Sequence, residues 1–144
     1  MNGDENSRDL MRHWLVPVAT KEDADKTARA LGQYSPEDIT VLYVVEKGEG
    51  VPDKTPVEQS EQIAAESFAV FRTVFPQADV HITYARDVVG AIFAVADEIG
   101  ASAIVYRSRG GHRIKHLLSG DLSLKLVTQN DRPVIALPQF DQSE

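Results

Sequence analysis

Short apolar runs and amphipathic stretches alternate along the whole chain. Residues 39–45 are almost continuously apolar, which is typical of a strand buried on both faces of a parallel sheet. Residues 79–84 alternate between apolar and polar side chains and also predict a strand. Together, the runs predict five strands over residues 14–18, 39–45, 79–84, 103–106 and 133–137.

Amphipathic stretches with capping residues separate these strands. Thr20 is the predicted N-cap of the first helix, with Asp23 three positions later as an imperfect capping box, and Gly32 stands where that helix would end. Asp87 and Gly100 bracket the third helix in the same way. The remaining elements are a second helix with its apolar stripe over 63–74, a fourth helix over about 121–129, and a loop over 46–57.

The resulting order, β-α-β-α-β-α-β-α-β, predicts one α/β domain with an open, mostly parallel five-stranded sheet and helices on both faces. Parallel neighbours require right-handed crossovers, and ligands bind outside the carboxyl ends of such strands, where the winding direction reverses. We expect the domain to span residues 13–138, with a flexible N-terminal tail over 1–12 and a C-terminal tail over 139–144.

Composition narrows the possible function classes. The 144 residues carry a net charge of −7, and the resulting field repels nucleic acid and anionic membranes. The chain has no cysteine, which excludes disulfides, thiolate metal sites and thiol nucleophiles. No apolar run is long enough to span a bilayer, and residues 1–12 are mostly polar. We therefore expect a cytoplasmic protein that neither inserts into membranes nor binds nucleic acid.

Residues 103–126, AIVYRSRGGHRIKHLLSGDLSLKL, and residues 132–138, RPVIALP, resemble the C-terminal half of universal stress proteins. The apolar runs at 15–18 and 41–45 fit the first two strands of the same family. The similarity extends from about residue 13 to 138 and is most specific at its C-terminal end. It implies the Rossmann-like universal stress protein fold with strand order 3-2-1-4-5, and a regulatory or stress-response role.

Nucleotide-binding members of this family carry a glycine, two residues, a second glycine, nine residues, a third glycine, and then serine or threonine. The glycines let backbone N–H groups approach phosphate, and the following helix N-terminus supplies positive partial charge. Gly110 and Gly120 match the second and third glycines, with nine residues between them. Arg107 replaces the first glycine, Asp121 replaces the hydroxyl residue, and Ala19 replaces an aspartate, so three of the five positions differ.

The resemblance implies a cleft that holds ATP or AMP, with Mg²⁺, in nucleotide-binding members. Val44 is the counterpart of the second-strand residue that contacts the base. The implied binding positions are Pro17, Ala19, Val44, Arg107, Arg109, Gly110, Gly120, Asp121, Leu122 and Ser123. Because three motif positions differ, we expect ATP binding to be weak or absent. The sequence indicates neither catalytic residues nor a metal site, although a slow ATPase remains an alternative.

Two interpretations of the altered loop remain open. In the first, Arg107 and Asp121 form an ion pair across the loop and fill the place where phosphate normally lies. In the second, Asp121 only caps a helix and Arg107 points to solvent.

The same loop concentrates positive charge in an acidic protein, through Arg107, Arg109, His112, Arg113, Lys115 and His116. Such a patch would suit an anionic ligand or an acidic protein partner. The alternative is a charged loop that is simply solvated.

The resemblance also implies a homodimer formed through the last strand, by Pro133, Val134, Ile135, Ala136 and Leu137. Pairing two copies would satisfy the exposed backbone groups of an edge strand. Three functions stay open at this point: a nucleotide-independent stress-response dimer, an adenine-nucleotide sensor or slow ATPase, and a partner-binding regulatory subunit of a transporter.

Overall fold

The computed structural model describes residues 9–47, 57–107, 120–128 and 131–138, which form a five-stranded sheet flanked by helices. The strands are β1 (His13–Pro17), β2 (Asp38–Glu46), β3 (Asp79–Ala85), β4 (Ala103–Arg107) and β5 (Val134–Leu137). The helices are α1 (Lys21–Leu31), α2 (Val57–Val74), α3 (Val88–Ile99) and α4 (Gly120–Thr128). The predicted alternation of strands and helices is confirmed.

All strands of the sheet pair in parallel, in the order β3-β2-β1-β4-β5 that the resemblance implied. Val16 of β1 lies opposite Val41 of β2, and Leu15 lies opposite Ile104 of β4. The chain winds from β1 through β2 to β3 in one direction, and from β4 to β5 in the other. The winding therefore reverses between β1 and β4, and their carboxyl ends border the crevice where such sheets bind ligands.

Helix α1 begins at a capping pair. The side-chain oxygen of Thr20, its N-cap residue, accepts a hydrogen bond of 2.9 Å from the backbone N–H of Asp23. The Asp23 carboxylate in turn accepts a 2.8 Å bond from the backbone N–H of Ala19. The predicted pair is confirmed, but the returning bond reaches the residue before the N-cap, where a standard capping box would bond the N-cap itself.

Helix α3 begins and ends where the sequence predicts. The Asp87 carboxylate accepts a 3.1 Å hydrogen bond from the backbone N–H of Gly90. Gly100 adopts a left-handed conformation with φ of 67°, which favours glycine because a side chain would be strained there. The following N–H, from Ala101, donates to the carbonyl oxygen of Ala96 at 2.9 Å and closes the helix end.

Most element boundaries differ from the sequence prediction by one residue, and two differences have a clear physical reason. Helix α2 starts at Val57, before the apolar stripe at 63–74, because its first turns consist mostly of polar residues with good helix propensity. Strand β5 starts at Val134, since Pro133 has no N–H to donate, although its carbonyl oxygen accepts a 3.0 Å bond from Ile104. Most of the predicted loop, residues 48–56, lies outside the described residues. The domain limits of 13 and 138 stay a prediction.

The sheet separates two hydrophobic cores. Side chains alternate between its faces, so Trp14 and Val16 belong to the first core, with Phe71 of α2, whereas Leu15 belongs to the second, with Ile92 of α3. Helices α1 and α2 cover the first core, and α3 and α4 cover the second. Because both faces are covered, the strand edges and the loops beyond them are the places where this fold can hold a ligand.

Candidate functional site

The crevice predicted by the winding reversal is lined by the end of β1, the start of α1 and the end of β4. We call this region the cleft and define it by residues 17–20, Asp23 and Arg107. Pro17 is the last residue of β1 and lies opposite Leu42 of β2. Arg107 is the last residue of β4 and lies opposite Leu137 of β5. Two of the implied binding positions, Pro17 and Arg107, therefore end neighbouring strands at one edge of the sheet.

An ion pair crosses the cleft. The Nη2 atom of Arg107 lies 3.1 Å from the Oδ1 atom of Asp23, in the first turn of α1. The Asp23 side chain is fully buried, and the Arg107 side chain is 11% exposed. A pair this deeply buried is screened little by salt, so the carboxylate neutralises the guanidinium in a region of low effective dielectric. The end of β4 is thereby tied to the start of α1.

The Asp23 carboxylate has partners besides Arg107. Its Oδ2 atom accepts the 2.8 Å hydrogen bond from the N–H of Ala19, and its Oδ1 atom accepts a 3.3 Å bond from the Thr27 hydroxyl. The first turn of a helix also favours negative charge through the helix dipole. The carboxylate is therefore stabilised by neutral groups of its own helix and of the β1–α1 connection as well as by the cation.

The Arg107 guanidinium is less completely satisfied. Its Nε atom is buried and has no hydrogen-bond partner in the described part of the chain. A guanidinium carries five N–H donors, and a buried donor without an acceptor costs about 1 to 3 kcal/mol. The two members of the ion pair are thus unequal, because Asp23 is well supplied with donors while the Nε atom of Arg107 lacks an acceptor among the described residues.

The structure brings together some of the predicted site residues. Ala19, at the position where the resemblance implied an aspartate in nucleotide-binding members, is half-buried in the cleft, and its backbone N–H donates to Asp23. Val44 of β2 is 8% exposed and packs in the second core, two positions further along β2 than the residue opposite Pro17. Val44 therefore lies near the carboxyl edge of the sheet, but within the core.

The other predicted site residues belong to the segment between β4 and α4 and to the first turn of α4. Arg109 and Gly110 lie outside the described residues, as do the other basic residues of the loop, His112, Arg113, Lys115 and His116. The backbone of the first turn of α4 is described, and it contains Gly120, Asp121, Leu122 and Ser123. The expected ion pair between Arg107 and Asp121 stays a prediction, whereas the ion pair that the structure describes for Arg107 is with Asp23.

Sequence reasoning missed Asp23 as a member of the cleft. It identified Asp23 only as the third residue of a capping box, and the structure confirms that role. A capping residue at the start of α1 points toward the carboxyl edge of the sheet, because α1 follows β1 in a parallel unit. That geometric rule is the signal that could have placed Asp23 opposite Arg107.

Tyr43 lies beside Val44 near the end of β2. Its side chain is half-buried, and desolvation raises the pKa of its phenol above the ordinary value. Tyr43 therefore keeps its proton at neutral pH, and it brings no charge to this edge of the sheet.

The strand implied as the dimer interface lies at one edge of the sheet. β5 pairs with β4 along one side, and its own residues range from the buried Leu137 to the exposed Ala136. On helix α4, which precedes β5 in the chain, the side chains of Leu124 and Val127 are 60% and 42% exposed. Among the described strands, β5 therefore has a neighbour on one side only, and the helix that precedes it carries exposed apolar residues.

Two further features concern metals and membranes. Within residues 9–47, 57–107, 120–128 and 131–138, no group of three or more His, Asp or Glu side chains is arranged to hold a metal ion. Over the same part of the chain, no helix is both long and apolar enough to cross a bilayer.

Known proteins with the same fold have been solved. A universal stress protein from Archaeoglobus fulgidus, in complex with dAMP, is 18% identical, with a TM-score of 0.65 over 88% of this chain and 97% of that one. A universal stress protein from Lactobacillus plantarum is 22% identical, with a TM-score of 0.62 over 88% of this chain and 97% of that one. A universal stress protein in complex with cAMP is 17% identical, with a TM-score of 0.58 over 90% of this chain and 99% of that one.

No curated protein matches the chain in sequence. The model of the universal stress protein family, however, matches residues 11–138, which is most of the chain. The match agrees with the strand order 3-2-1-4-5 and with the resemblance at the C-terminal end. The chain therefore belongs to the universal stress protein family.

Proposed function

We propose that this chain is a regulatory, non-enzymatic universal stress protein that acts as a homodimer and binds adenine nucleotides weakly or not at all. The observation that carries the proposal is the Asp23–Arg107 ion pair across the cleft. The pair occupies the end of β4, where nucleotide-binding members have the first glycine of their phosphate loop. A cytoplasmic location remains a prediction from the sequence.

Neither the electrostatics nor the sterics of this place favour a phosphate. A phosphate charge about 5 Å from the Asp23 carboxylate would be repelled by about 3 kcal/mol at an effective dielectric constant of about 20. This repulsion cancels most of the attraction that Arg107 would exert on the same phosphate, so the ion pair as a whole gives a phosphate little net stabilisation. Arg107 also carries a long side chain where glycine would leave room for the nucleotide and freedom for the backbone.

An adenine-nucleotide sensor is the second candidate, and the solved relatives favour it. Two of them were determined with dAMP and cAMP, so the fold accommodates such ligands in other chains. In this chain, a sensor would have to bind the nucleotide beside a buried ion pair, or to break that pair. If it binds ATP, Mg²⁺ would accompany the triphosphate and a slow ATPase activity would become testable.

Calorimetry separates the two candidates. We expect titration of the wild-type chain with ATP and with AMP, each with and without Mg²⁺, to give no binding at micromolar concentrations. Thermal unfolding should be unchanged by ATP and Mg²⁺ relative to a chloride control of equal ionic strength, because only a ligand that binds the folded state raises its stability. An affinity in the low micromolar range would refute the proposal, and release of phosphate from ATP would show an enzyme.

The proposed dimer forms through β5, supported by its edge position and by the exposed Leu124 and Val127 on α4. Sedimentation should show a dimer at micromolar concentration. The variant Ala136→Glu should sediment as a monomer, because a charge would be buried against its own copy. The matched control is Val80→Glu on β3, at the opposite edge of the sheet, which should leave the dimer intact. A monomeric wild type would contradict this part of the proposal.

A further inference from the structure

The two members of the cleft ion pair differ in how much each depends on the other. Asp23 accepts from the Ala19 N–H at 2.8 Å and from the Thr27 hydroxyl at 3.3 Å, in addition to Arg107. Arg107 keeps a buried Nε without a partner in the described part of the chain. The cation is therefore the member that still needs an acceptor.

A particular class of ligand can supply the acceptor that the Nε of this guanidinium lacks among the described residues. Its Nε and Nη groups form a planar fork that matches two oxygens of a carboxylate or phosphate. Asp23 offers Arg107 a single described contact, from Oδ1 to Nη2 at 3.1 Å, because its other oxygen is held by Ala19. The carboxylate therefore balances the charge of the arginine but does not accept hydrogen bonds from both Nε and Nη.

We propose that Asp23 is an internal anion that excludes phosphate-type oxyanions from Arg107, and that removal of this one charge turns Arg107 into an oxyanion site. The proposal deepens the proposed function and rests on it, since it names the residue that keeps the cleft from holding phosphate. It also names the ligand class, a phosphate or polyphosphate bound through Nε and Nη of Arg107.

The test is a gain of binding in the variant Asp23→Asn. Asparagine keeps an oxygen for the Ala19 N–H, and its NH2 group replaces the Oδ1 atom that accepts from Arg107 and Thr27, so the variant removes both the charge and that acceptor. We expect tripolyphosphate, and ATP without Mg²⁺, to bind this variant at least about tenfold more tightly than the wild type, since tenfold corresponds to a modest change in interaction energy. The thermal midpoint of Asp23→Asn should also rise with inorganic phosphate, while that of the wild type should not, because the anion replaces the missing partner of a buried cation.

Matched variants make the result specific. Asp25→Asn removes the same charge from the same helix at an exposed position, where Asp25 pairs with Arg29 at 3.1 Å, and it should gain no binding. The double variant Asp23→Asn with Arg107→Gln should lose the gain, because the fork is absent. If the gain persists without Arg107, or if Asp25→Asn shows it equally, the proposal is overturned.

Failure of this proposal is distinguishable from failure of the proposed function. Tight ATP binding by the wild type overturns the proposed function. A wild type that does not bind, together with an Asp23→Asn variant that gains nothing, overturns only the role of Asp23. Should Asp23→Asn be unfolded in every buffer, the same titration of Asp23→Ser decides, because serine also carries no charge and its shorter side chain leaves room beside Arg107.

Discussion

Two buried arginines lie at opposite ends of β4, and the fold satisfies them to different degrees. Arg107 ends β4 at the carboxyl edge of the sheet, and Arg132 lies at the amino edge, just before β5. Their side chains are almost equally buried, with 11% and 14% exposed. Their surroundings differ, because one belongs to the cleft and the other to the junction where α3 ends and β4 begins.

The hydrogen bonds of Arg132 use all of its nitrogen atoms. Nη1 donates to the carbonyl oxygens of Ala96 at 3.0 Å and Ala101 at 2.9 Å, Nε donates to Asp131 at 3.0 Å, and Nη2 pairs with Asp97. The guanidinium thus joins the last turn of α3 to the segment before β5.

The difference shows that burial alone does not reveal what an arginine does. Every nitrogen of the Arg132 side chain donates to the protein itself, so its role is structural and no nitrogen is left without a partner that a ligand could supply. Arg107 has an ion pair with Asp23 and an Nε that finds no partner among the described residues, so it is the arginine on which a ligand can act. The following variants test this contrast.

The largest expected effect is on Arg132. Arg132→Met should lower the free energy of unfolding by about 3 kcal/mol, because hydrogen bonds to a charged donor contribute about 1.5 to 3 kcal/mol and the Ala101 carbonyl loses the donor that the structure gives it. Urea denaturation followed by circular dichroism measures the change. The exposed Arg29→Met is the control, with a change near zero. A loss for Arg132→Met no larger than this control would contradict the structural role.

Arg107→Met should have a smaller effect, about 1.5 kcal/mol. Breaking a buried ion pair usually costs more, because a charge is left without compensation. Here Asp23 retains the Ala19 N–H, the Thr27 hydroxyl and the start of α1, while an unsatisfied Nε is removed. The same urea experiment ranks the two arginines. If Arg107→Met destabilises the protein more than Arg132→Met, the proposed inequality of the two sites is wrong.

The sequence predicts the fold well and the cleft only in part, for a physical reason. Strands such as residues 39–45 and caps such as Asp87 and Gly100 depend on neighbours in the chain, and local patterns record such neighbours. The ion pair joins residues 84 positions apart, and no local pattern records which carboxylate meets Arg107. Family resemblance directed attention to Asp121, because it occupies the motif position, whereas the described partner is Asp23.

Gly100 ends helix α3, whose last turn accepts hydrogen bonds from Arg132. A variant at Gly100 therefore tests the backbone that supports these contacts. Gly100→Ala should cost about 1 kcal/mol, because an alanine at φ of 67° is strained. Open space surrounds the position where the new Cβ would lie, so the backbone conformation alone causes the loss. Gly100→Asn, which tolerates the left-handed region better, is the control and should lose less. Thermal unfolding of both variants is the measurement, and equal losses would point to packing as the cause.

The smallest expected effect concerns the exposed hydrogen bond from Arg132 to Asp131, as distinct from the part-buried bonds that Arg132 donates to carbonyl oxygens. The hydrogen bond from Arg132 lowers the pKa of the Asp131 carboxyl below its ordinary value of 3.8, although this side chain is 58% exposed. Because the folded-state pKa is the lower one, the stabilisation is present above pH 3.8 and is lost as the pH falls through the folded pKa.

Asp131→Asn should therefore destabilise the neutral protein by less than about 0.5 kcal/mol, after allowance for solvent screening. The difference from wild type should shrink on acidification and in high salt, as measured by urea denaturation across pH. In an Arg132→Met background, the same substitution should have no effect at any pH, since the cation that lowers the pKa is gone. If Asp131→Asn has its full effect in the Arg132→Met background, Asp131 acts through another group. The stability loss of Arg132→Met could then not be divided into a part from the carbonyl contacts and a part from the carboxylate contacts.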